Sequence, residues 1–261
     1  MNAHRSDLDA ARLAAGVAPP WRSPVVLDEI DSTNRTAVAA ARAGEPEGLV
    51  VIADRQTAGR GRLGRRWLSP AGAGIAVSVV LRPSVPDDRL GWLPLLAGLS
   101  VQAAVARCTG LPLALKWPND VYGSRGKLAG LLSERVAGGA VVVGVGLNVH
   151  DLAGLPEGAT SVAAEGVDGD RTALLLAVLD ELGTRYGAWV ASGGAPEAVR
   201  PDYRAVCRTI GAAVRVELPG GGVVVGDAVD VDGLGRLVVL DGSGQPHHLA
   251  SGDVVHVRPA G

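Results

Sequence analysis

The segment QTAGRGRLGRRW, residues 56–67, carries four arginines and three glycines and ends on a tryptophan. Glycines let the backbone approach a ligand closely, and guanidinium groups donate paired hydrogen bonds to phosphate or carboxylate oxygens. The indole of Trp67 offers a face on which a nucleobase could stack. The segment therefore predicts an anion-binding loop, with a solvated basic turn or an RNA-binding loop as the open alternatives.

The residues that follow this loop exclude the nucleotide-binding folds that its glycines resemble. The pattern G-x-G-x-x-G at 59–64 matches a dinucleotide fingerprint, which must open a helix. Instead RRWLSPAGAG follows at 65–74, and Pro70 with two glycines prevents one. A P-loop needs Lys-Ser/Thr where this chain has Arg65 and Arg66, and a kinase needs Asp-Phe-Gly in a chain that contains no Phe.

Composition sets the class of protein. The 261 residues are 47% hydrophobic and 20% charged, which is typical of a globular chain. A net charge of −2 gives no overall field for nucleic acid or membranes, so a basic site must be local. Cys108 and Cys207 are too far apart to indicate a disulfide scaffold or a thiolate zinc site. Without a signal-like start or a run of roughly 18 apolar residues, we expect a soluble cytoplasmic protein.

Hydrophobic patterns alternate between helices and strands up to about residue 208. Strands are predicted at 49–53, 74–83, 113–118, 127–136 and 140–149, and helices at 31–44, 90–110, 170–190 and 196–207. From Ile210, short alternating segments separated by PGGG, DGLG and DGSG predict a chain of hairpins. We therefore expect an extension at 1–24, a catalytic-sized domain at 25–208 and a small β barrel at 209–261.

The two lysines indicate a second group of candidate ligand-binding residues. Of 25 basic residues only Lys116 and Lys127 are lysines, and both lie in KWPNDVYGSRGK. Pro118 favours an extended residue before it, so Asn119 and Asp120 are expected where the strand ends. Two ammonium groups, a carboxylate and an amide could then meet at one ligand, although a plain turn after a strand fits equally well.

Five motifs occur in register: DSTN at 31–34, Q-x-x-G-R-G-R-x-G-R-x-W at 56–67, KWPND at 116–120, GKLAG at 126–130 and GVGLN at 144–148. In this order they resemble the catalytic domain of biotin–protein ligases, and the resemblance covers residues 25–258. It implies an α+β fold, in which a class II synthetase-like catalytic domain with a mixed sheet flanked by helices is followed by a small SH3-like β barrel.

The resemblance also implies two half-reactions, with biotin and ATP as substrates and Mg²⁺ as the metal ion. Biotin carboxylate attacks the α-phosphate to give biotinyl-5′-AMP, and a lysine on a biotin carboxyl carrier protein domain of an acyl-CoA or pyruvate carboxylase then takes the biotin. In such an enzyme the Arg/Gly loop is a mobile flap that shields the reactive anhydride from water.

Family roles carry over to individual positions of this chain. The resemblance implies catalytic roles for Lys127, Arg60, Arg62 and Asp120, the last as the group that orients or deprotonates the acceptor lysine. It implies biotin contacts by Ser32, Thr33, Asn34, Gln56, Gly59, Arg60, Gly61, Arg62, Lys127, Gly130, Gly144 and Gly146. It implies nucleotide contacts by Arg60, Arg62, Trp67, Lys116, Asn119 and Asn148.

Several expectations concern what the chain does not do. About 24 residues precede the core, too few for the DNA-binding domain of many relatives, so we expect a ligase without repressor function. We expect a monomer or weak homodimer, with no nucleic-acid or membrane partner and no metal site built from protein side chains. His247 and His248 fall on opposite faces of a predicted strand, which argues against a joint metal site. Arg65 and Arg66 have no assigned role.

Two rival functions stay open from the sequence. A lipoate– or octanoate–protein ligase shares the adenylation logic on a related fold, although the pairing of the loop at 56–67 with KWPND favours biotin. In a different class, an RNA-binding module could use the Arg/Gly loop to grip phosphates. The acidic balance of the chain and the DVD, LDG and GD segments of the barrel count against that module.

Overall fold

A computed structural model describes residues 8–151 and 155–256. Its helices are α1 Ala10–Gly16, α2 Thr33–Arg42, α3 Leu93–Thr109, α4 Arg171–Ala191 and α5 Arg200–Val206, with 3₁₀ turns at Arg62–Gly64, Asp87–Trp92 and Pro196–Ala198. Its strands are β1 Val25–Ile30, β2 Val50–Gln56, β3 Gly74–Leu81, β4 Ala114–Lys116, β5 Asp120–Tyr122, β6 Lys127–Arg135, β7 Val141–Asn148, β8 Ala213–Glu217, β9 Val223–Val231, β10 Leu237–Asp241, β11 Pro246–Leu249 and β12 Asp253–His256.

The first seven strands form one mixed sheet in the order β1-β2-β3-β7-β6-β5-β4. Strands β1 and β2 are parallel, and each of the other neighbouring pairs is antiparallel. Strand β7 is buried along its whole length, as its continuous apolar sequence predicts. This mixed sheet with flanking helices confirms the predicted α+β class.

The two faces of the sheet are covered unequally. Successive residues of a strand point to opposite faces. On one face the apolar side chains pack against α3 and α4 in the main core. On the other face Val51, Val80 and Val142 pack with Ala37 and Ala41 of the short helix α2. Because α2 spans only ten residues, the remainder of its face stays available for a site.

Helix α3 ends, and helix α4 begins, at the residues that the sequence predicts. Gly110 ends α3 in the left-handed conformation at φ 72°, and the Asp170 side chain accepts a hydrogen bond from Ala173 N–H at the start of α4. The predicted apolar face of α4 is buried. The segment Asp87–Thr109 is long and apolar enough to span a membrane by length and composition alone, yet it is mostly buried inside the protein.

The last five strands form a second, antiparallel sheet in the order β11-β10-β9-β8-β12, in the region predicted to be a small barrel. Its inward side chains belong to the same hydrophobic cluster as the first sheet. Two buried indoles fix the contact, because Trp92 donates to Gly233 O at 3.0 Å and Trp117 donates to Gly235 O at 3.2 Å. The C-terminal sheet is thereby held against the start of α3 and the turn that follows β4.

Two local expectations need correction, and the predicted extension at 1–24 contains a helix. The KWPND segment does not simply leave its strand, because the chain turns and Asp120–Tyr122 pairs antiparallel with β4 as an additional strand, β5. Helix α3 begins at Leu93, since the residues from Asp87 form a 3₁₀ turn. The region before residue 25 contains α1, whose Leu13 is buried and whose N-cap residue Asp9 donates its backbone N–H to the Thr172 hydroxyl at 2.9 Å.

Candidate functional site

A cavity of about 360 Å³ opens on the face of the sheet that α2 leaves uncovered, a volume suited to a small-molecule ligand. Its walls come from the flap (residues 57–69), the start of α2, the turn at 155–159 and residues 252–254 of the C-terminal sheet. It is lined by all but one of the predicted site residues: Ser32, Thr33, Asn34, Gln56, Arg60, Gly61, Arg62, Trp67, Lys116, Asn119, Asp120, Lys127, Gly130, Gly144, Gly146 and Asn148.

Gly59 is the predicted site residue that does not line the cavity. Its backbone pairs with the other arm of the flap, where Trp67 N–H donates to Gly59 O at 2.9 Å. A Cβ at Gly59 would lie 2.4 Å from Trp67 O, so a side chain would separate the two arms. A second cross-strand pair joins Arg60 and Arg66. The predicted loop is therefore a short irregular hairpin, and Gly59 shapes it.

Glycines form the floor of the cavity. Gly130 of β6 lies opposite Gly146 of β7, and the Trp67 indole packs directly on both. A Cβ at Gly146 would lie 2.3 Å from the indole, and one at Gly130 would lie 3.0 Å from it. A Cβ at Gly144 would lie 2.0 Å from Asn34 Oδ1. These positions exclude side chains because other groups approach the sheet backbone closely.

A buried chain of hydrogen bonds occupies the α2 end of the cavity. Gln56 Oε1 accepts from Thr33 N–H at 2.9 Å, and the Ser78 hydroxyl lies 2.8 Å from Thr33 Oγ1. Ser78 also donates to Asn34 Oδ1 at 2.8 Å, and Asn34 Nδ2 donates to Glu134 at 2.7 Å. Thr33, Asn34 and Ser78 are each at most 4% exposed. This end is preorganised and already satisfied within the protein.

Sequence reasoning missed Ser78 and Glu134. The position of each residue in its strand was nevertheless an indication. Ser78 is the single polar residue inside the apolar strand GIAVSVVL. Glu134 lies four residues after Gly130 on β6, so both residues are on one face of that strand. Reading strand faces, in addition to motifs, would have placed both residues beside the cavity.

The opposite end of the cavity is charged. Lys127 Nζ lies 2.6 Å from Asp120 Oδ1 and 5.8 Å from the centre of the Trp67 ring. Arg62 donates to Asn119 Oδ1 at 3.0 Å, and burial lowers the pKa of its guanidinium. Three of the four predicted catalytic residues thus converge here. The fourth, Arg60, instead pairs with Glu134 at 3.2 Å, toward the α2 end.

The rim beside this charged end adds groups from the C-terminal sheet. Arg65 of the flap forms an ion pair with Asp253 at the start of β12, and this hydrogen bond holds the pKa of Asp253 below its usual range. Next to it, Lys116 lies 5.7 Å from the centre of the Tyr122 ring. Arg65 thereby has a partner that the sequence did not indicate, 188 residues away.

Two further predictions concern single side chains. Asn148 is buried at the end of β7, and its amide donates to Thr160 O at 2.9 Å, which fixes its orientation. His247 and His248 bond to different carboxylates, those of Asp241 and Asp232, at 2.7 and 2.8 Å. Among the described residues, no group of three or more His, Cys, Asp or Glu side chains is placed to hold a metal ion.

Comparison with known proteins assigns the family. Residues 26–149 match the biotin/lipoate A/B protein ligase family, and residues 209–257 match the biotin protein ligase C-terminal domain. The chain is 46% identical to a biotin–[acetyl-CoA-carboxylase] ligase of Mycobacterium tuberculosis, over 93% of this chain and 92% of that protein. It is 33% identical to a bifunctional ligase/repressor of Bacillus spizizenii, over 82% of this chain and 68% of that protein.

The solved structures agree with this assignment. Biotin protein ligase from Aquifex aeolicus in complex with biotin and ATP superposes with a TM-score of 0.76 at 32% identity, covering 90% of this chain and 98% of that one. The cavity described above is lined by residues of all five motifs, at 31–34, 56–67, 116–120, 126–130 and 144–148. The chain therefore belongs to the biotin–protein ligases, a family of enzymes that ligate biotin to protein.

Proposed function

We propose that this protein forms biotinyl-5′-AMP from biotin and MgATP and then transfers the biotin to a lysine of a biotin carboxyl carrier protein. The observation that carries the proposal is the polarity of one cavity: at the α2 end the groups are hydrogen-bonded and the Glu134 charge is paired with Arg60, whereas cations predominate at the other end. Biotin has a neutral ureido group at one end and a carboxylate at the other. The related Aquifex enzyme binds both biotin and ATP.

The ureido group is proposed to bind at the α2 end. A hydroxyl has one proton, and Asn34 Oδ1 can only accept, so Ser78 donates to Asn34 and accepts from the Thr33 hydroxyl. Thr33 Oγ1 is then able to accept from a ureido N–H, while the Gln56 amide nitrogen can donate to the ureido oxygen. Asn34 contributes by fixing Ser78, since its own amide is bound to Glu134.

The fused rings of biotin are proposed to lie on the glycine floor. In this structure Trp67 rests on that floor, in contact with Gly130 and Gly146. Entry of biotin therefore requires the flap to shift the indole away, and we propose that it then packs against the adenosine. Asn148, with its amide fixed by Thr160, is proposed to contact the adenine.

Adenylate formation follows from the charged end. A carboxylate oxygen of biotin attacks the α-phosphorus, the bond to the β-phosphate breaks, and diphosphate leaves with the electron pair. Lys127, Arg60 and Arg62 are proposed to stabilise the charge that accumulates on the phosphate oxygens. Lys127 must exchange its 2.6 Å contact with Asp120 for the carboxylate and phosphate of the reactants. Mg²⁺ is proposed to arrive on the nucleotide, whose phosphate oxygens suit that ion.

Transfer is proposed to use the carboxylate that this exchange releases. The acceptor amine attacks the carbonyl of the mixed anhydride, its proton passes to Asp120, and AMP leaves. A general base of this kind contributes roughly 10²–10⁴-fold to a rate. Asp120→Ala should therefore slow transfer from preformed biotinyl-5′-AMP in a single-turnover assay, and normal transfer would refute the role of Asp120.

The remaining assignments are proposals of the same kind. We propose a catalytic domain at 25–208, a C-terminal domain at 209–261, and cytoplasmic action as a monomer or weak dimer. We propose ligase activity without repression, because the Mycobacterium relative that matches over nearly its full length is named only as a ligase. Absence of specific DNA binding in a gel-shift assay is the expected result.

The reaction itself is tested by pyrophosphate release with biotin, lipoate or octanoate supplied one at a time. Release with biotin alone, followed by labelling of a carrier-protein lysine, is the expected outcome. Release with lipoate or octanoate would instead favour the lipoate-ligase alternative. Tight RNA binding at ~150 mM salt without biotin-dependent release would favour the RNA-binding alternative.

A further inference from the structure

Two cations share one aromatic ring at the rim of the cavity. Lys116 Nζ lies 5.7 Å and Arg208 Cζ lies 5.1 Å from the centre of the Tyr122 ring. Arg208 is held in place by its backbone, since its N–H donates to Leu115 O at 2.8 Å beside β4. Lys116 thus extends from the end of β4 and Arg208 from the segment after α5, and both lie against the ring of Tyr122, which lines the cavity.

The positive charges in this cluster are not neutralised by direct ion pairs. Neither Lys116 nor Arg208 contacts a carboxylate among the residues that the structure describes, and Arg62 nearby bonds to the neutral Asn119. Asp120 and Asp253 act on Lys116 only at longer range. Their closest partners are Lys127 and Arg65, respectively.

Like-charge repulsion is visible in neighbouring groups. Burial lowers the pKa of Lys116, Asp120 and Asp253 oppose this shift, and the charges of Arg208 and Lys127 add to it. Burial also lowers the pKa of His256 on β12, and Lys116 and Arg208 again add to the effect. Cations held together without a direct ion pair are stabilised when an anion binds between them.

We propose that Lys116 and Arg208, mounted on Tyr122, form an anion subsite at the cavity rim that receives the β- and γ-phosphates of ATP and then the diphosphate. This inference rests on the proposed ligase function and extends it to a residue outside the five motifs. Lys116 and Tyr122 line the same cavity as Lys127 and Arg62, and Arg208 lies beside it against the Tyr122 ring. The leaving diphosphate takes the electron pair of the broken P–O bond, and the rim cations balance that added charge.

The assignment explains why Arg208 differs from other exposed arginines of the chain. Arg204, one turn earlier on α5, pairs with Asp230 at 2.8 Å, and Arg215 on β8 lies 3.6 Å from Glu217. Arg208 instead lies against an aromatic ring beside a second cation. Such an arrangement leaves its guanidinium N–H groups free to fork onto a phosphate.

The subsite is tested directly, without catalysis, by calorimetric titration of the protein with inorganic pyrophosphate in the presence of Mg²⁺. We expect Arg208→Ala to weaken pyrophosphate binding about five- to tenfold and Arg208→Glu to weaken it more, in line with the loss of one charge-assisted contact. The KM for ATP should rise by a similar factor. Arg215→Ala removes an exposed arginine of the same region away from the cavity and serves as the matched control.

Unchanged pyrophosphate affinity in both Arg208 variants would overturn the subsite, while biotin-dependent pyrophosphate release by the wild type would leave the proposed function intact. If the wild type binds pyrophosphate through Arg208 but shows no biotin-dependent release, the subsite stands and the ligase function fails. An equal loss of biotin affinity in Arg208→Ala would indicate general damage to the cavity and would also overturn the assignment.

Discussion

At the α2 end of the cavity, Thr33, Ser78 and Asn34 are buried and bonded to one another, with Glu134 closing the chain. At the opposite end, Lys127 has a single carboxylate, and Lys116, Arg62 and Arg208 pair with none among the described residues. One end has its hydrogen bonds fixed before any ligand arrives. The other end holds an excess of positive charge. The first suits recognition of a neutral group by shape, and the second suits a ligand whose charge changes during reaction.

Lys127→Arg should have the largest effect, a loss of the chemistry at the charged end. Lys127 sits between Asp120 and the Trp67 ring, and its Cε borders the space above Gly130, so a planar guanidinium has no room there. We expect adenylate formation to fall about 10²–10³-fold, as for the loss of a group that stabilises transition-state charge. Biotin-dependent pyrophosphate release measures it, with Lys116→Arg at the open rim as the milder comparison. Near wild-type rates would show that charge alone suffices at this position.

Gly146→Ala tests the floor that joins the two ends. The new methyl group would lie 2.3 Å from the Trp67 ring and would occupy the surface proposed for the biotin rings. We expect the KM for biotin to rise roughly 10–50-fold, the range that one misplaced methyl group produces in a fitted pocket. Gly187→Ala, at a helical position of α4 with nothing within 4 Å, is the matched control. Equal effects of the two substitutions would contradict the close fit of the floor.

Ser78→Ala interrupts the chain of hydrogen bonds at the α2 end of the cavity. It leaves Asn34 Oδ1 buried without its donor and frees the Thr33 hydroxyl to turn, which should lower the unfolding free energy by about 1–3 kcal/mol. We expect the KM for biotin to rise about five- to tenfold while the KM for ATP changes less. Ser100→Ala is the control, because it removes another buried hydroxyl, one that donates to Leu96 O within α3. A larger effect on ATP than on biotin would reverse the proposed orientation of the ligand.

Asp253→Asn should have the smallest effect of the four. It weakens the ion pair with Arg65 that joins the flap to the C-terminal sheet, and both side chains are well exposed. Exposed pairs contribute little, so we expect a change in the KM for ATP of less than about threefold, reduced further by salt. Steady-state kinetics of Arg65→Ala, Asp253→Asn and the double variant measure the coupling. Additive effects would mean that the pair does not hold the flap.

The sequence predicted the parts of the site that lie in contiguous motifs, and it missed those made by distant contacts. Lys127, Asp120 and Trp67 meet in the cavity because each motif sits at a strand end or in the flap, as strand patterns indicate. Asp253 and Arg208 could not be assigned from local pattern, because their contacts depend on how the C-terminal sheet docks. The additional strand β5 escaped notice because three residues are too few to show alternation.

The partial exposure of Trp67 has a consequence for the fluorescence of the protein. The chain has five tryptophans, and Trp21, Trp92, Trp117 and Trp189 are each at most 6% exposed, whereas Trp67 is half-buried on the flap. A water-soluble collisional quencher such as iodide should therefore reach one indole far more readily than the other four. Quenchable emission in the native protein then reports the position of the flap alone. The opening and covering of the cavity can thus be followed in unlabelled protein, in real time, as each substrate is added.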